Sequence, residues 1–283
     1  MTIRNITEEN VLDYAEIIPP ECVYDIGREY TGGFAGEDDE TKETVAIILW
    51  ELKNVEDEDV PTEAELQWFY ASSVDTGKEI LSVFDQSIKK NGVKRTFFEM
   101  PELSDDEKEA LTDAGFSIIR AESMSIFVTV EDMVKLKLPM INLLNNVKSL
   151  SEITARQFKS GIMNCIYHKR YGLLDDLPFL PMSRYDPDIS SCVIMDGRVA
   201  GFLLVHETQS GAFRPELLFA VEPDSRIHML NMMSFSINMA AQTISESGIV
   251  QIKRYNMSAL KLATKLFPGK KGDMVMRGER KRA

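Results

Sequence analysis

The segment 216–248, ELLFAVEPDSRIHMLNMMSFSINMAAQTISESG, decides the fold. Its residues 217–221 are all apolar over the length of one strand, which is typical of a central strand that is covered on both faces. Residues 222–225 end this run. From Arg226 apolar side chains recur at three- and four-residue steps, which predicts a long helix that stops at Gly248. A loop that opens a helix after a buried strand offers free backbone N–H groups and suits a phosphate.

The rest of the second half of the chain supplies the partners of this segment. A strand is predicted at 249–255 and a helix at 256–267, which Pro268 and Gly269 end. Before the segment, Asp196-Gly197 is a strong signal for a two-residue hairpin turn that leads into a strand at 198–207. This half therefore predicts strands and helices in alternation after an initial hairpin.

The first half repeats the same order of elements. A strand at 66–71 is followed by a short loop and a helix for which Thr76 and Glu79 predict a capping box. A strand at 93–100 and a helix at 104–114, with a capping box at Ser104 and Glu107, come next. Strand pairs followed by βαβ units predict an α/β fold with helices on both faces of a mixed sheet. We therefore expect two such domains in tandem, 1–140 and 141–283.

The charge of the two halves supports this division. Residues 1–140 hold 32 acidic and 13 basic side chains, a net charge of −19, and residues 141–283 hold 13 and 19, a net charge of +6. The acidic half should repel polyanions, and the basic half can accept them. The strong negative charge can equally be a well-solvated surface.

Composition excludes several classes of protein. The sequence has no apolar run of membrane-spanning length, so we expect no membrane partner and a soluble chain. Three scattered cysteines and the lack of a signal peptide predict a cytoplasmic protein. Three histidines without close spacing make a metal site improbable. The acidic total argues against nucleic acid as the main partner.

The order of elements, with two short motifs, resembles the GNAT family of N-acetyltransferases in tandem. The central strand and loop of that family match here at Val221, Pro223 and Arg226, but Ile227 replaces the first glycine. The second family motif matches at Asn256, Ala259 and Leu262. Its tyrosine, which often acts as general acid, falls at Ala263, and in the first half at Leu111. The resemblance covers nearly the whole chain, with degenerate motifs in both halves.

The resemblance implies an acyl-CoA-dependent N-acyltransferase with acetyl-CoA as co-substrate and a small amine as acceptor. Acetyl-CoA carries about four negative charges, mostly on phosphates that favour helix N-termini and cationic side chains. The second domain, with Arg226 where the first has Asp75, is therefore the expected cofactor site. The residues implied in cofactor binding lie at the strand end and the helix starts: Phe219, Val221, Arg226, Ile227, His228, Met229 and Asn256.

Catalysis of amine acylation needs a base to remove a proton from the ammonium group. Glu222, at the end of the central strand, and His228, in the first helical turn, are the candidates. The alternatives are a solvated loop carboxylate and a surface histidine. His206 follows an apolar strand and is predicted to be a strand-end residue.

A second hypothesis is a catalytically inactive GNAT-like protein that binds a ligand or a partner. It rests on the missing glycines and on the missing tyrosine at Leu111 and Ala263. The acceptor, the acyl donor and the oligomeric state stay open at this point.

Overall fold

The computed structural model describes residues 1–283 apart from ten short gaps. The gaps are Tyr24, Glu29, 54–61, Lys137, 139–145, 169–179, Gln209, 222–224, 255–256 and 282–283.

Thirteen strands lie within the described ranges. They are β1 (Thr2–Asn5), β2 (Thr31–Glu37), β3 (Thr44–Lys53), β4 (Glu63–Ala71), β5 (Arg95–Met100), β6 (Ser117–Glu122), β7 (Ser125–Thr129), β8 (Val147–Ser149), β9 (Ser191–Met195), β10 (Arg198–Glu207), β11 (Phe213–Ala220), β12 (Ile249–Lys253) and β13 (Met274–Lys281).

Seven α-helices connect these strands in the part of the chain that the structure describes. They are α1 (Pro20–Val23), α2 (Val74–Lys89), α3 (Asp105–Asp113), α4 (Val130–Val134), α5 (Ala155–Tyr167), α6 (Ser225–Thr243) and α7 (Met257–Leu266).

The described strands form two mixed sheets with the same order. One sheet runs β1-β2-β3-β4-β5-β13-β6, and the other runs β8-β9-β10-β11-β12-β7. In each sheet the fourth and fifth strands are parallel, and the other neighbours are antiparallel. The predicted duplication of one α/β fold is therefore present in six successive strand positions.

The two compact units differ from the predicted domains in two places. Unit 1 comprises 1–123 and 273–283, and unit 2 comprises 124–272. The reason is the backbone pairing of two strands. β13 pairs with both β5 and β6 and so completes the sheet of unit 1. β7 pairs with β12 and so completes the sheet of unit 2. The predicted division at 140/141 takes neither pairing into account.

Each sheet of the two units is covered on both faces. In unit 1, Ile80, Leu81 and Phe84 of α2 pack on buried side chains of the sheet, and a second cluster around Val11 and Tyr14 covers the other face. In unit 2, α6, α7 and α4 share one cluster, whereas α5 packs with the other face of the sheet. The helices on both faces agree with the predicted α/β class.

Of three local predictions from the sequence, the structure confirms two and contradicts one. The hairpin prediction is confirmed, since Asp196 and Gly197 both have positive φ between β9 and β10. The capping box at Ser104 and Glu107 is confirmed. The box predicted at Thr76 and Glu79 is wrong, because α2 begins earlier and Ser73 caps it together with Thr76.

Two further properties concern the described residues as a whole. None of the helices in these ranges has the length and apolar character that a membrane crossing requires. No group of three or more His, Cys, Asp or Glu side chains within these ranges is arranged to hold a metal ion.

We expect unit 1 to depend on β13 for its stability. In a chain that ends at residue 272, β5 and β6 lose their common neighbour and its ion pairs from Arg277 to Glu99 and from Arg280 to Asp85. Hydrogen exchange should then show loss of amide protection in β5 and β6 and retained protection in unit 2. A chain that ends at residue 281 is the control. Equal protection of β5 and β6 in the two chains would contradict the prediction.

Candidate functional site

The parallel strands of each unit separate towards their carboxyl ends. β4 and β5 pair from Glu63 to Leu66, whereas β4 continues to Ala71. The described residues of β11 and β12 pair at one position, Phe213 with Val250, although β11 continues to Ala220. Ligands of open α/β sheets bind outside the carboxyl ends of strands, so each opening is a candidate site.

In unit 2 a backbone donor faces this opening. The Val221 N–H donates to the Ala200 carbonyl at 2.8 Å. Because hydrogen-bonding directions alternate along an antiparallel pair, the neighbouring Ala220 N–H points away from β10, to the side of β12. α6 begins at Ser225, and the exposed Arg226 and Ile227 lie in its first turn. The Ala220 N–H donor, the N-terminus of α6 and the cationic side chain of Arg226 therefore follow one another along the chain.

The structure places the predicted site residues in different environments. Phe219 is buried in the cluster of α5, and Val221 and Met229 are half-buried and pack on the cluster of α6. Arg226 and Ile227 are exposed, Ile227 to 39%. Glu222 and Asn256 lie outside the described residues. The geometry thus brings Arg226, Ile227, His228 and Met229 together on one turn of α6.

The ring of His228 is buried. The residue is 5% exposed, and neither ring nitrogen has a hydrogen-bond partner among the described residues. Asn231, less than one turn further along α6, is 1% exposed, and its Nδ2 also lacks a partner in this part of the chain. The alternative of a surface histidine is therefore wrong.

In unit 1 the backbone N–H groups of the loop before α2 already have hydrogen-bond acceptors within the unit. The Ser72 N–H donates to the Val45 carbonyl at 2.9 Å, and Ser73 and Thr76 exchange hydrogen bonds between their N–H groups and hydroxyls. Internal bonds thus already satisfy these backbone groups.

Gly77 of α2 has a packing role. A Cβ atom at this position would lie 2.7 Å from the Cβ of Ala110 and 3.2 Å from that of Ala71. The glycine therefore permits the close approach of α2 to α3 and to the end of β4. Packing alone therefore explains a glycine at this position.

The equivalent helices of unit 2 are further apart. Four buried residues of α2 have the same spacing as four of the buried residues of α6, with Ile80, Leu81, Phe84 and Ile88 matching Met232, Met233, Ser236 and Ala240. This match places Met229 where unit 1 has Gly77. α2 and α3 pack directly, whereas the described parts of α6 and α7 show no comparable packing. In the described part of the chain, α6 and α7 are thus less closely packed on each other than α2 and α3.

Sequence reasoning missed a buried charged cluster next to the opening of unit 2. Glu216 Oε1 lies 3.1 Å from Arg184, 3.2 Å from His206 Nδ1 and 3.6 Å from Arg214. The pairing of β10 with β11 shifts at Glu216, since Leu204 faces Leu217 and Val205 faces Pro215. This β-bulge places Glu216 among the charged side chains of one face. Two charged residues, Arg214 and Glu216, inside a buried strand were the available signal.

The cluster lowers the pKa of Glu216. Burial alone raises the pKa of this carboxyl group. Arg184, His206 and Arg214 lower the pKa by more than burial raises it, so the net shift is downward. His206 is 1% exposed and belongs to this network, so it is more than the predicted strand-end residue.

Unit 1 has a cluster of different charge at the corresponding bulge. Its bulge residue is Gln67, and the register places Glu51 where unit 2 has His206 and Glu65 where it has Arg214. Lys53 forms ion pairs with both glutamates. Burial lowers the pKa of Lys53, but Glu51 and Glu65 outweigh burial and raise it. The same fold position therefore holds opposite charges in the two units.

Comparisons with known proteins identify the fold. No protein-family model matches the sequence, and no curated protein matches it. A tandem GNAT protein from the clavulanic acid biosynthesis pathway is 12% identical, with a TM-score of 0.56 over 99% of this chain and 98% of that one. A GCN5-related N-acetyltransferase from Kribbella flavida is 11% identical, with a TM-score of 0.52 over 99% and 71%.

A third solved structure agrees with these two. A probable N-acyltransferase from Enterococcus faecalis V583 is 11% identical, with a TM-score of 0.51 over 99% of this chain and 72% of that one. Such low identities show the fold alone. The prediction of two tandem GNAT-like mixed-sheet α/β domains is confirmed.

We expect Glu216→Gln to destabilise the protein. The change removes the negative charge that Arg184 and Arg214 face in a buried cluster, which costs on the order of 3 kcal/mol. Chemical unfolding measures the loss, and Glu207→Gln, at an exposed position on the adjacent strand, is the control. Equal stability of the two variants would refute the role of the cluster.

The same comparison should depend on pH. Because the folded-state pKa of Glu216 is lowered, its contribution to stability is complete above the ordinary carboxyl range and disappears as pH falls through the folded value. The difference in unfolding free energy between wild type and Glu216→Gln should therefore shrink in acid. A difference that is constant from neutral pH into acid would show that Glu216 does not titrate as described.

Proposed function

We propose that this chain, which has the tandem GNAT fold, transfers an acyl group from an acyl-CoA, with acetyl-CoA as the first candidate, to a small amine. The observation that carries the proposal is the opening between β11 and β12, next to the start of α6. The fold of the solved neighbours supports an acyltransferase, and the open strand ends offer a place for an acyl donor.

The donor is assigned to unit 2 on the basis of charge. Unit 1 holds 32 acidic and 15 basic side chains, a net charge of −17, and unit 2 holds 13 and 17, a net charge of +4. A donor with several phosphate charges favours the positive unit. Arg226 is exposed in the first turn of α6, where a cation and the helix dipole act on an anion in the same direction.

The proposed contacts follow the same segment. Arg226 binds phosphate, and the backbone near Phe219, Val221, Ile227, His228 and Met229, with Asn256, forms the rest of the donor site. The two side chains that replace glycines, Ile227 and Met229, narrow the approach of a pyrophosphate, so Arg226 carries most of the binding.

The chemistry requires removal of a proton from the amine before its nitrogen attacks the thioester carbonyl. Glu222 is the proposed base, because it follows the strand that borders the opening. His228 is the second choice, although its ring is buried. The CoA thiolate can leave unassisted or through water, since ordinary thiols titrate at about pH 8.5.

A cytoplasmic location is part of the proposal. Cys22, Cys165 and Cys192 are not joined in disulfide bonds, as a reducing compartment favours. Burial raises the pKa of Cys165 and Cys192 to about 12, so neither is suited to act as a nucleophile.

A specific observation favours the second candidate, an inactive protein that binds a ligand or partner. At both positions of the family tyrosine the chain has a buried apolar side chain, Leu111 and Ala263, so no hydroxyl is available there. Such a protein would keep a ligand site and lack turnover. Turnover measurements therefore separate the two candidates.

We expect CoA binding to depend on Arg226. Arg226→Glu should abolish binding in calorimetry, because it reverses the exposed charge at the start of α6. Lys78→Glu is the matched control, since Lys78 lies on α2 in unit 1 and pairs with Asp113 at 2.7 Å. Equal losses in both variants would refute the assignment to unit 2. The absence of binding in wild type would refute the donor altogether.

We expect turnover to depend on Glu222. Glu222→Gln should lower the turnover rate by about 100-fold, the usual scale for a general base, and leave CoA affinity unchanged. Steady-state kinetics together with calorimetry separate the effect on turnover from the effect on CoA affinity. Glu246→Gln, at an exposed position of unit 2, is the control. If an established activity survives Glu222→Gln, the base lies elsewhere.

A further inference from the structure

A buried carboxylate occupies the strand opening of unit 1. Glu107 of α3 is 9% exposed. Its Oε1 accepts a hydrogen bond from the Ala71 N–H at 3.3 Å, and its Oε2 accepts one from the Ser104 N–H at 2.7 Å. Ala71 is the last residue of β4, and Ser104 caps α3. One side chain thus joins the end of the strand to the start of the helix.

The Ala71 N–H is the donor that faces the opening. The Ser72 N–H donates to the Val45 carbonyl of β3, so the preceding N–H of Ala71 points away from β3, to the side of β5. β4 has already separated from β5 at this point, since their pairing ends at Leu66. Glu107 therefore accepts the hydrogen bond of a backbone N–H group that the separation of the strands would otherwise leave available to a ligand.

Unit 2 has the same donor, and none of its described residues is a carboxylate that bonds to it. By strand register, Ala220 corresponds to Ala71, since Val221 donates to Ala200 as Ser72 donates to Val45. Buried or half-buried residues of α3 and α7 share one spacing, with Glu107, Ala110, Leu111 and Ala114 matching Ala259, Leu262, Ala263 and Leu266. The counterpart of Glu107 is therefore Ala259, which has neither the length nor the charge to reach the strand end.

We propose that the residue at this position decides which unit accepts the acyl donor, and this inference rests on the proposed function. In unit 1 the Glu107 carboxylate takes the Ala71 N–H and adds a negative charge to the opening, which repels an anionic donor. The close packing of Gly77 on Ala110 narrows the same opening. In unit 2 Ala259 leaves the opening free. The chain then binds one donor molecule, although it contains two copies of the fold.

Transfer of the carboxylate to unit 2 tests the proposal. In calorimetry with CoA the wild type should bind one molecule, and Ala259→Glu should weaken binding by about tenfold or more, as a like charge next to an anion does. Ala259→Gln introduces a side chain of the same size as glutamate but without its charge, and it should weaken CoA binding clearly less. Equal losses in the two variants, or unchanged binding in Ala259→Glu, would overturn the proposal.

The stoichiometry separates this inference from the proposed function. Two CoA molecules per wild-type chain would overturn the selective role of Glu107 and leave the acyl-CoA assignment intact. No binding to wild type would overturn the proposed function and, with it, a donor-selecting role.

A measurement without any ligand tests the contact itself. The Ala71 amide should be protected from hydrogen exchange in wild type and lose that protection in Glu107→Ala, since its acceptor is removed. Asp113→Ala, at an exposed position on the same helix, is the control. Fast exchange of Ala71 in wild type, or unchanged protection in Glu107→Ala, would overturn the proposal whatever CoA does.

Discussion

The parting of two parallel strands is the constraint on which the candidate site depends. A pair of parallel strands that stays hydrogen-bonded to its end has no free donors between them, whereas β11 leaves β12 after the one pair formed by their described residues. The Ala220 N–H and the start of α6 then lie beside an opening and not beside a strand. In unit 1 the same separation exists, but Glu107 and the packing of Gly77 fill the space it creates. The two units thus share a fold and differ in what occupies one gap.

Charge differs between the units in the interior as well as on the surface. The bulge of unit 2 collects Arg184, His206 and Arg214 around Glu216, whereas that of unit 1 collects Glu51 and Glu65 around Lys53. Buried charges are tolerated when each has a partner, and both clusters meet this requirement with opposite signs. A duplicated fold can therefore keep its backbone geometry while the polarity at one position is reversed.

Most of the fold, but less of the candidate site, could be predicted from the sequence. Apolar periodicity and turn residues such as Asp196-Gly197 predict the elements and their repeated order, because those signals act over a few neighbouring residues. The exchange of β7 and β13 between the two sheets is not visible in this way, since pairing partners far apart in the chain leave no local pattern. The same holds for the burial of His228 and for the contact of Glu107 with Ala71, which depend on tertiary packing.

The position of β13 has a consequence for how the chain is made. Unit 1 contains both ends of the described chain, and unit 2 is a continuous insertion between residues 123 and 273. During synthesis residues 1–123 emerge before unit 2, but their sheet has no strand between β5 and β6 until residues 274–281 leave the ribosome. Unit 2 has all its strands before that moment. Domains usually complete folding in the order of synthesis, whereas here unit 1 begins before unit 2 and is completed after it.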